Sequence, residues 1–418
     1  MAMSAYLKSF LTRQGHWMML ANVMTKLFGF AAVVYVTRNT TEVDYGSFSF
    51  AKNAIAAAVP FMGIGAYQAF MRFAADAPGQ LAKKDLYAYA YARGMLFSLA
   101  LVAVLWWLAP WVCSPIPESV ETFRILIWLV IGTFVMESVK SYARAIHCNQ
   151  ISARIDVVFA ISLLVATVAL TSGMGVQGYA VSIAMSPLLA AVPFGIRMRL
   201  FALNWKSLAP QFEGFWSYGL YTTAGAVLGQ MFYALDIFLI GHFVGEKANA
   251  VALYRVAFII PMATMVLPSS VAATDYMSNA INKYKGKVLR EYMRNYWRTF
   301  GALSVISLGL LALWAPQILQ IFGGGYSEGA LLMRLMLCGM LGAHLFRVPY
   351  GQLLSAVGKA NWNTWISVVL VALTAASCIW CIPKWGVVGA AGAMATMYWV
   401  GGIMNALMFE VYLRSETK

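Results

Sequence analysis

Apolar residues in this chain run in long blocks rather than alternating with polar ones, and short polar connections separate the blocks. A helix needs about 20 predominantly apolar residues to cross a bilayer core. Twelve stretches come near that length: 17–37, 48–70, 86–108, 124–143, 155–172, 176–196, 215–242, 250–272, 297–315, 331–350, 364–382 and 386–408. The pattern predicts an all-α polytopic membrane protein. Composition points the same way, with 61% hydrophobic and 11% charged residues against roughly 25% charged in soluble domains. The mean hydropathy is +0.70.

The formal charge of +14 changes meaning once it is placed on this pattern. If the N-terminus is cytoplasmic, eighteen Lys and Arg residues fall in inner segments, and only Arg38, Lys247 and Lys384 fall in outer ones. The positive-inside rule then puts both termini in the cytoplasm and accounts for the basic balance without nucleic acid. The first apolar block follows a polar stretch and is longer than a signal core of roughly 7 to 15 residues, so it reads as the first spanning helix. Five cysteines, Cys113, Cys148, Cys338, Cys378 and Cys381, show no framework spacing. The Cys378/Cys381 pair lies in an apolar helix without nearby His or acidic residues, so no metal is expected.

The chain also reads as a duplication. An offset of 206 pairs Phe48 and Ala51 with Tyr254 and Ala257, and Ala109-Pro110 with Ala315-Pro316. An insertion at Gly323-Gly324-Gly325-Tyr326 shifts the offset to 210, which pairs Arg124 with Arg334 and Gly132 with Gly342. After one further residue, Gly175 to Ala180 align with Gly386 to Ala391. The expected units are 1–205 and 206–418, each with six spans and related by an axis along the membrane normal. Transporters built from such repeats place cargo at the repeat interface and alternate access by rocking one half against the other.

Nine cations interrupt the apolar blocks: Lys26, Lys52, Arg93, Arg124, Lys140, Arg255, Arg298, Arg334 and Arg347. Only Glu137 and Asp236 are read as acidic residues in the same environment. A cation at the bilayer centre costs about 2.5–3.5 kcal/mol even on lenient scales, so such residues persist where they face a wet interior and serve a task. Lys52, Arg124, Arg298 and Arg334 lie near block ends, where long stems can snorkel. Lys26, Lys140, Arg255 and Arg347 lie deeper and suggest a cationic lumen for an anion. Lys140 and Arg347 sit roughly 20 Å along their helices from Arg124 and Arg334, giving a staircase of moderate sites.

Helical spacing groups polar residues on shared faces: Asn22 with Lys26, Glu137 with Lys140 and Arg144, and His344 with Arg347. Lys26, Lys52, Arg255, Lys140, Arg347, Asn22 and His344 are the candidate substrate-binding set. Glu137 with Lys140 reads equally as an intrahelical ion pair. Asp236 is the candidate protonatable or coupling residue, or alternatively a charge partner for Arg255 or Lys26. The repeat alignment makes Glu137 equivalent to Arg347, which suggests a latch between them with Glu137 in a gating role. Enzyme signatures are missing from the sequence: there is no Walker A lysine, no Gly-x-Ser-x-Gly elbow and no zinc spacing.

The run Ala21-Asn22-Val23-Met24-Thr25-Lys26-Leu27-Phe28-Gly29-Phe30, with Thr37-Arg38 and Tyr45-Gly46, resembles the opening of Wzx-type polysaccharide flippases of the MOP exporter superfamily. Tyr218-Gly219, Asp236-Ile237, Ile240-Gly241, Ala252-Leu253-Tyr254 and Phe322-Gly323 through Tyr326 are similar to the family's pattern in the second half. The resemblance implies two six-helix bundles in a MATE-like V around a central cavity. It implies an inner-membrane flippase without cofactor, whose cargo is an undecaprenyl-diphosphate-linked oligosaccharide for O-antigen, capsule or a related surface glycan. Membrane lipids, a polysaccharide polymerase and a chain-length regulator are the implied partners. The alternative is a cation-coupled multidrug exporter of the MATE type, whose cationic cargo such a lumen would repel.

Overall fold

The computed structural model describes residues 15–74, 77, 79–201, 213–245 and 247–416. Among them every regular element is helical. Eight helices are long and apolar enough to cross a membrane, and a ninth span is added if Phe215–Phe232 and Leu235–Phe243, bent by 45°, count as one. The chain is a multi-pass membrane protein. Its contacts group into two units, Met1–Gln230 and Met231–Lys418.

In the first unit, Gly15–Asn39 packs along Asn149–Arg197, where the Tyr35 hydroxyl donates to the Val168 carbonyl at 3.5 Å. The helix Glu42–Ala58 starts cleanly because Thr41 caps it: the Thr41 side chain accepts from the Asp44 N–H at 3.1 Å, and Glu42 and Asp44 occupy the positive end of the helix dipole. The sequence reads straight through 48–70, yet the helix breaks at Val59–Gly65. Pro60 removes a backbone donor, Met62 is extended, and Gly63, Ile64 and Gly65 have φ of 59°, 46° and 71°. Glycine adopts that region freely, whereas a β-branched isoleucine there is strained. Ser98 bridges the break, accepting from the Gly63 N–H at 3.0 Å and donating to the Gly94 carbonyl at 2.8 Å. Gly65 lies backbone to backbone against Gly219, so neither position has room for a Cβ.

The longest helix of this unit, Asn149–Arg197, is two arms rather than one rod. Gly175 takes φ 56° and ψ −138°. Residues eight apart in a straight helix are about 12 Å apart along its axis, but a Cβ on Gly178 would collide with the Leu170 carbonyl. The chain therefore doubles back, and the arms 149–174 and 176–197 lie side by side.

The second unit repeats the device. Gly386 breaks Ala360–Glu416 with φ 55° and ψ −138°, and Gly389 faces the Cys381 carbonyl as Gly178 faces that of Leu170. These are the positions that the duplication pairs. Gly324–Ala356 carries one wide turn at Ala343–Arg347. Its cause is Pro349, which has no N–H for the Leu345 carbonyl. Trp297 Nε1 takes that carbonyl at 2.9 Å, and the Tyr296 hydroxyl takes that of His344 at 2.8 Å. The Arg347 carbonyl accepts from Asn405 Nδ2 at 3.0 Å.

Candidate functional site

In the first unit the deep lysine is engaged by acids. Lys140 Nζ lies 2.8 Å from Glu137 Oε1 and 2.7 Å from Asp156 Oδ1, with little of the three side chains exposed. Of the two readings for Glu137 and Lys140, the geometry is that of the ion pair. Asp156, left out of the acidic set above although it lies inside the 155–172 block, is its second member, so more than two carboxylates share the membrane environment. Thr25 Oγ1 donates to the Asp156 carbonyl at 3.4 Å, which brings the helix that carries Lys26 to this cluster. Lys26 itself is exposed and makes no hydrogen bond or ion pair among the described residues. The side chain of Asn22 lies outside the described residues. Lys52 is half-buried, with Nζ 5.8 Å from the Phe48 ring centroid and 5.9 Å from that of Tyr179.

In the second unit, Asp236 opens the short helix Leu235–Phe243 and is fully buried. Its Oδ2 accepts from the Tyr254 hydroxyl at 2.6 Å and its Oδ1 from the Ile237 N–H at 2.8 Å. Arg255, half-buried beside Tyr254, is close enough to act electrostatically on this carboxylate without hydrogen-bonding it. Tyr254→Phe removes the shortest of these contacts. It is expected to cost about 1.5–3 kcal/mol, the range for hydrogen bonds to charged groups, read as a lowered unfolding midpoint in detergent.

Arg347, like Lys52, lies against two aromatic rings, and more closely. Its guanidinium carbon sits 4.0 Å from the Phe232 ring centroid and 5.5 Å from that of Tyr398, and Nη1 is buried with no acceptor among the described residues. His344 is enclosed rather than lumen-facing. It is 1% exposed, and its ring nitrogens meet Ser304 Oγ at 3.0 Å and Thr264 Oγ1 at 3.2 Å. Both nitrogens are committed, so the residue braces three helices instead of presenting itself to cargo. Glu137 and Arg347 are each engaged within their own unit, with Lys140 and with the two rings.

Residues 11–275 match the family model described as "Polysaccharide biosynthesis protein". The chain belongs to this family. No curated protein sequence matches it significantly. Among solved structures, this polysaccharide biosynthesis protein is similar to an inward-facing multidrug resistance MATE transporter of the MOP superfamily, with a TM-score of 0.75 and 15% identity over 94% of this chain and 96% of that one. It is equally similar to the lipid II flippase MurJ in an inward closed conformation, with a TM-score of 0.75 and 12% identity over 94% and 87%. A MOP superfamily transporter from Pyrococcus furiosus, whose binding pocket is described as reversed in polarity, gives a TM-score of 0.67 at 15% identity over 97% and 95%. The fold is MATE-like.

Two residues of this family member escaped sequence reasoning. Asp156 starts a span and looks like an interfacial residue until Lys140 is seen across from it. Tyr254 aligns with Phe48 in the duplication, and the extra hydroxyl at that one position is the signal that was available.

Proposed function

We propose that this protein flips polyprenyl-diphosphate-linked oligosaccharide units, destined for O-antigen, capsule or a related surface glycan, from the cytoplasmic to the periplasmic leaflet of a bacterial inner membrane. The observation that carries the reading is a polysaccharide biosynthesis family match on a chain whose membrane segments hold cations without matching acids. Lys26, Arg255 and Arg347 form no ion pair among the described residues. A diphosphate supplies the counter-charge for Lys26, Arg255 and Arg347, with Lys52 as a further cation of the set, while the lipid tail stays in the bilayer. Several moderate anion sites suit transport better than one tight site, because cargo has to leave as well as enter.

In this reading the chain crosses the membrane twelve times in two six-helix bundles, counting the two doubled-back helices and Gly15–Asn39 as separate crossings. Both termini are cytoplasmic, since eighteen inner cations stand against three outer ones. Access alternates between the two sides of the membrane, and Asp236 with Tyr254 and Arg255 is the coupling group. A polysaccharide polymerase and a chain-length regulator are the expected partners. The MATE-type exporter alternative has the fold in its favour, but exporters of cationic compounds would meet repulsion from these residues.

The test is glycan display in cells lacking the protein, complemented with wild type or with Lys26→Ala/Arg255→Ala at matched membrane abundance. The double variant is expected to lose most surface polysaccharide and to accumulate lipid-linked units on the cytoplasmic side. Unchanged glycan in the deletion strain sinks the flippase reading.

A further inference from the structure

The second unit carries an open pocket of about 280 Å3, lined in part by Met265, Arg347, Gln352, Asn363 and Asn405. Its walls carry one formal charge, the Arg347 guanidinium, and no carboxylate among the described residues. The other polar side chains are the hydroxyls of Tyr233, Ser269, Ser355 and Ser367 and the amides of Gln352, Asn363 and Asn405, and part of their donors bind within the wall. Ser355 Oγ donates to the Gly351 carbonyl at 3.1 Å and Ser367 Oγ to that of Asn363 at 2.8 Å. Asn363 Nδ2 donates to the Gly351 carbonyl at 2.7 Å and to Ser355 Oγ at 2.9 Å. Asn405 Nδ2 is used on the Arg347 carbonyl, and its Oδ1 has no donor among the described residues.

The wall therefore offers a ligand hydroxyl and amide groups, with acceptor oxygens among them, together with the guanidinium. Acceptors call for hydroxyl donors on the ligand, and a guanidinium calls for an oxyanion. Phe232 and Tyr398 lie against Arg347 and fix its plane, which lowers the ordering cost of each bond it makes. Val348, Ile366 and Leu370 add apolar surface suited to the C–H face of a pyranose. Pockets for drug-sized ligands run roughly 300–1,000 Å3, so this one suits a single sugar with its phosphate and not an oligosaccharide.

We infer that this cavity holds the first sugar of the cargo together with the phosphate ester that carries it. The inference takes the cargo's identity from the flippase reading, but the binding it asserts is measurable without transport. The experiment is saturation-transfer NMR on the full chain in nanodiscs with the 1-phosphates of glucose, galactose, mannose and N-acetylglucosamine, beside the free sugars, inorganic phosphate and glucuronate. At least one hexose 1-phosphate is expected to receive at least fivefold more transfer than its free sugar or inorganic phosphate. That signal is expected to fall at least fivefold in Arg347→Gln. It is also expected to fall at least fivefold in Gln352→Glu, whose side chain is exposed and whose change therefore spares the fold.

A short-chain prenyl diphosphohexose is expected to displace the sugar phosphate. Failure to compete overturns the assignment to lipid-linked rather than free sugar phosphate. Equal transfer in Gln352→Glu and wild type, or glucuronate matching the best sugar phosphate, overturns the site itself. None of these results bears on whether deletion of the protein abolishes surface glycan, so the two readings fail separately.

Discussion

Lys140→Met is expected to remove most of the protein from the membrane fraction and to lower its unfolding midpoint. The substitution leaves Glu137 and Asp156, which the ammonium holds at 2.8 and 2.7 Å, facing a partner that no longer neutralises them. Removing one member of a buried ion pair costs about 3–5 kcal/mol, because the remaining charge stays desolvated without compensation. A membrane setting offers little water for relief. The same principle predicts the rescue: Lys140→Met with Glu137→Gln and Asp156→Asn has no orphaned charge and should recover most of the lost abundance. A single variant as abundant and as heat-stable as wild type would show that the ammonium is not what offsets the two carboxylates.

Gly65→Ala is the second large effect, and Gly79→Ala is its control. Both glycines have left-handed φ, 71° and 80°, and an alanine in that region costs roughly 1–2 kcal/mol. A Cβ at Gly79 meets nothing within 4 Å, so that variant should show the conformational cost alone. At Gly65 the added carbon lands on the Gly219 backbone, which cannot swing aside like the end of a side chain. The expected result is little or no folded Gly65→Ala in detergent extracts, against a small midpoint decrease for Gly79→Ala. Similar losses in both would place the cost in φ and not in the helix contact.

Much of this architecture was legible because continuous apolar blocks are the least ambiguous pattern a chain can carry. The fold-back at Gly175 falls between the blocks 155–172 and 176–196, and that at Gly386 opens the block 386–408 that follows 364–382. The break at Met62–Ile64 was not foreseen inside 48–70, although Pro60, Gly63 and Gly65 stand within six residues; an apolar run hides backbone conformation as long as only hydropathy is read. The wide turn at Ala343–Arg347 is likewise traceable to Pro349, once the proline is seen as a missing donor. The site was harder. Sequence spacing detects neighbours on one helix, such as Glu137 and Lys140, but not the partners of Asp236 and His344, which come from other helices. Those pairs depend on how helices lie against each other, and no periodicity encodes that.

The paired fold-backs also set where the chain can change length. A helix turns about 100° per residue, so one residue added between Gly175 and Gly178, or between Gly386 and Gly389, would rotate the returning arm and carry the small residue away from the carbonyl it faces. Each arm's whole inward face would turn with it. The polar connection at Gly323–Tyr326 already carries four residues that the first half lacks. Insertions and deletions among relatives should accordingly collect in such connections and spare both glycine bends, which act as the fixed origin from which the register of each hairpin is counted.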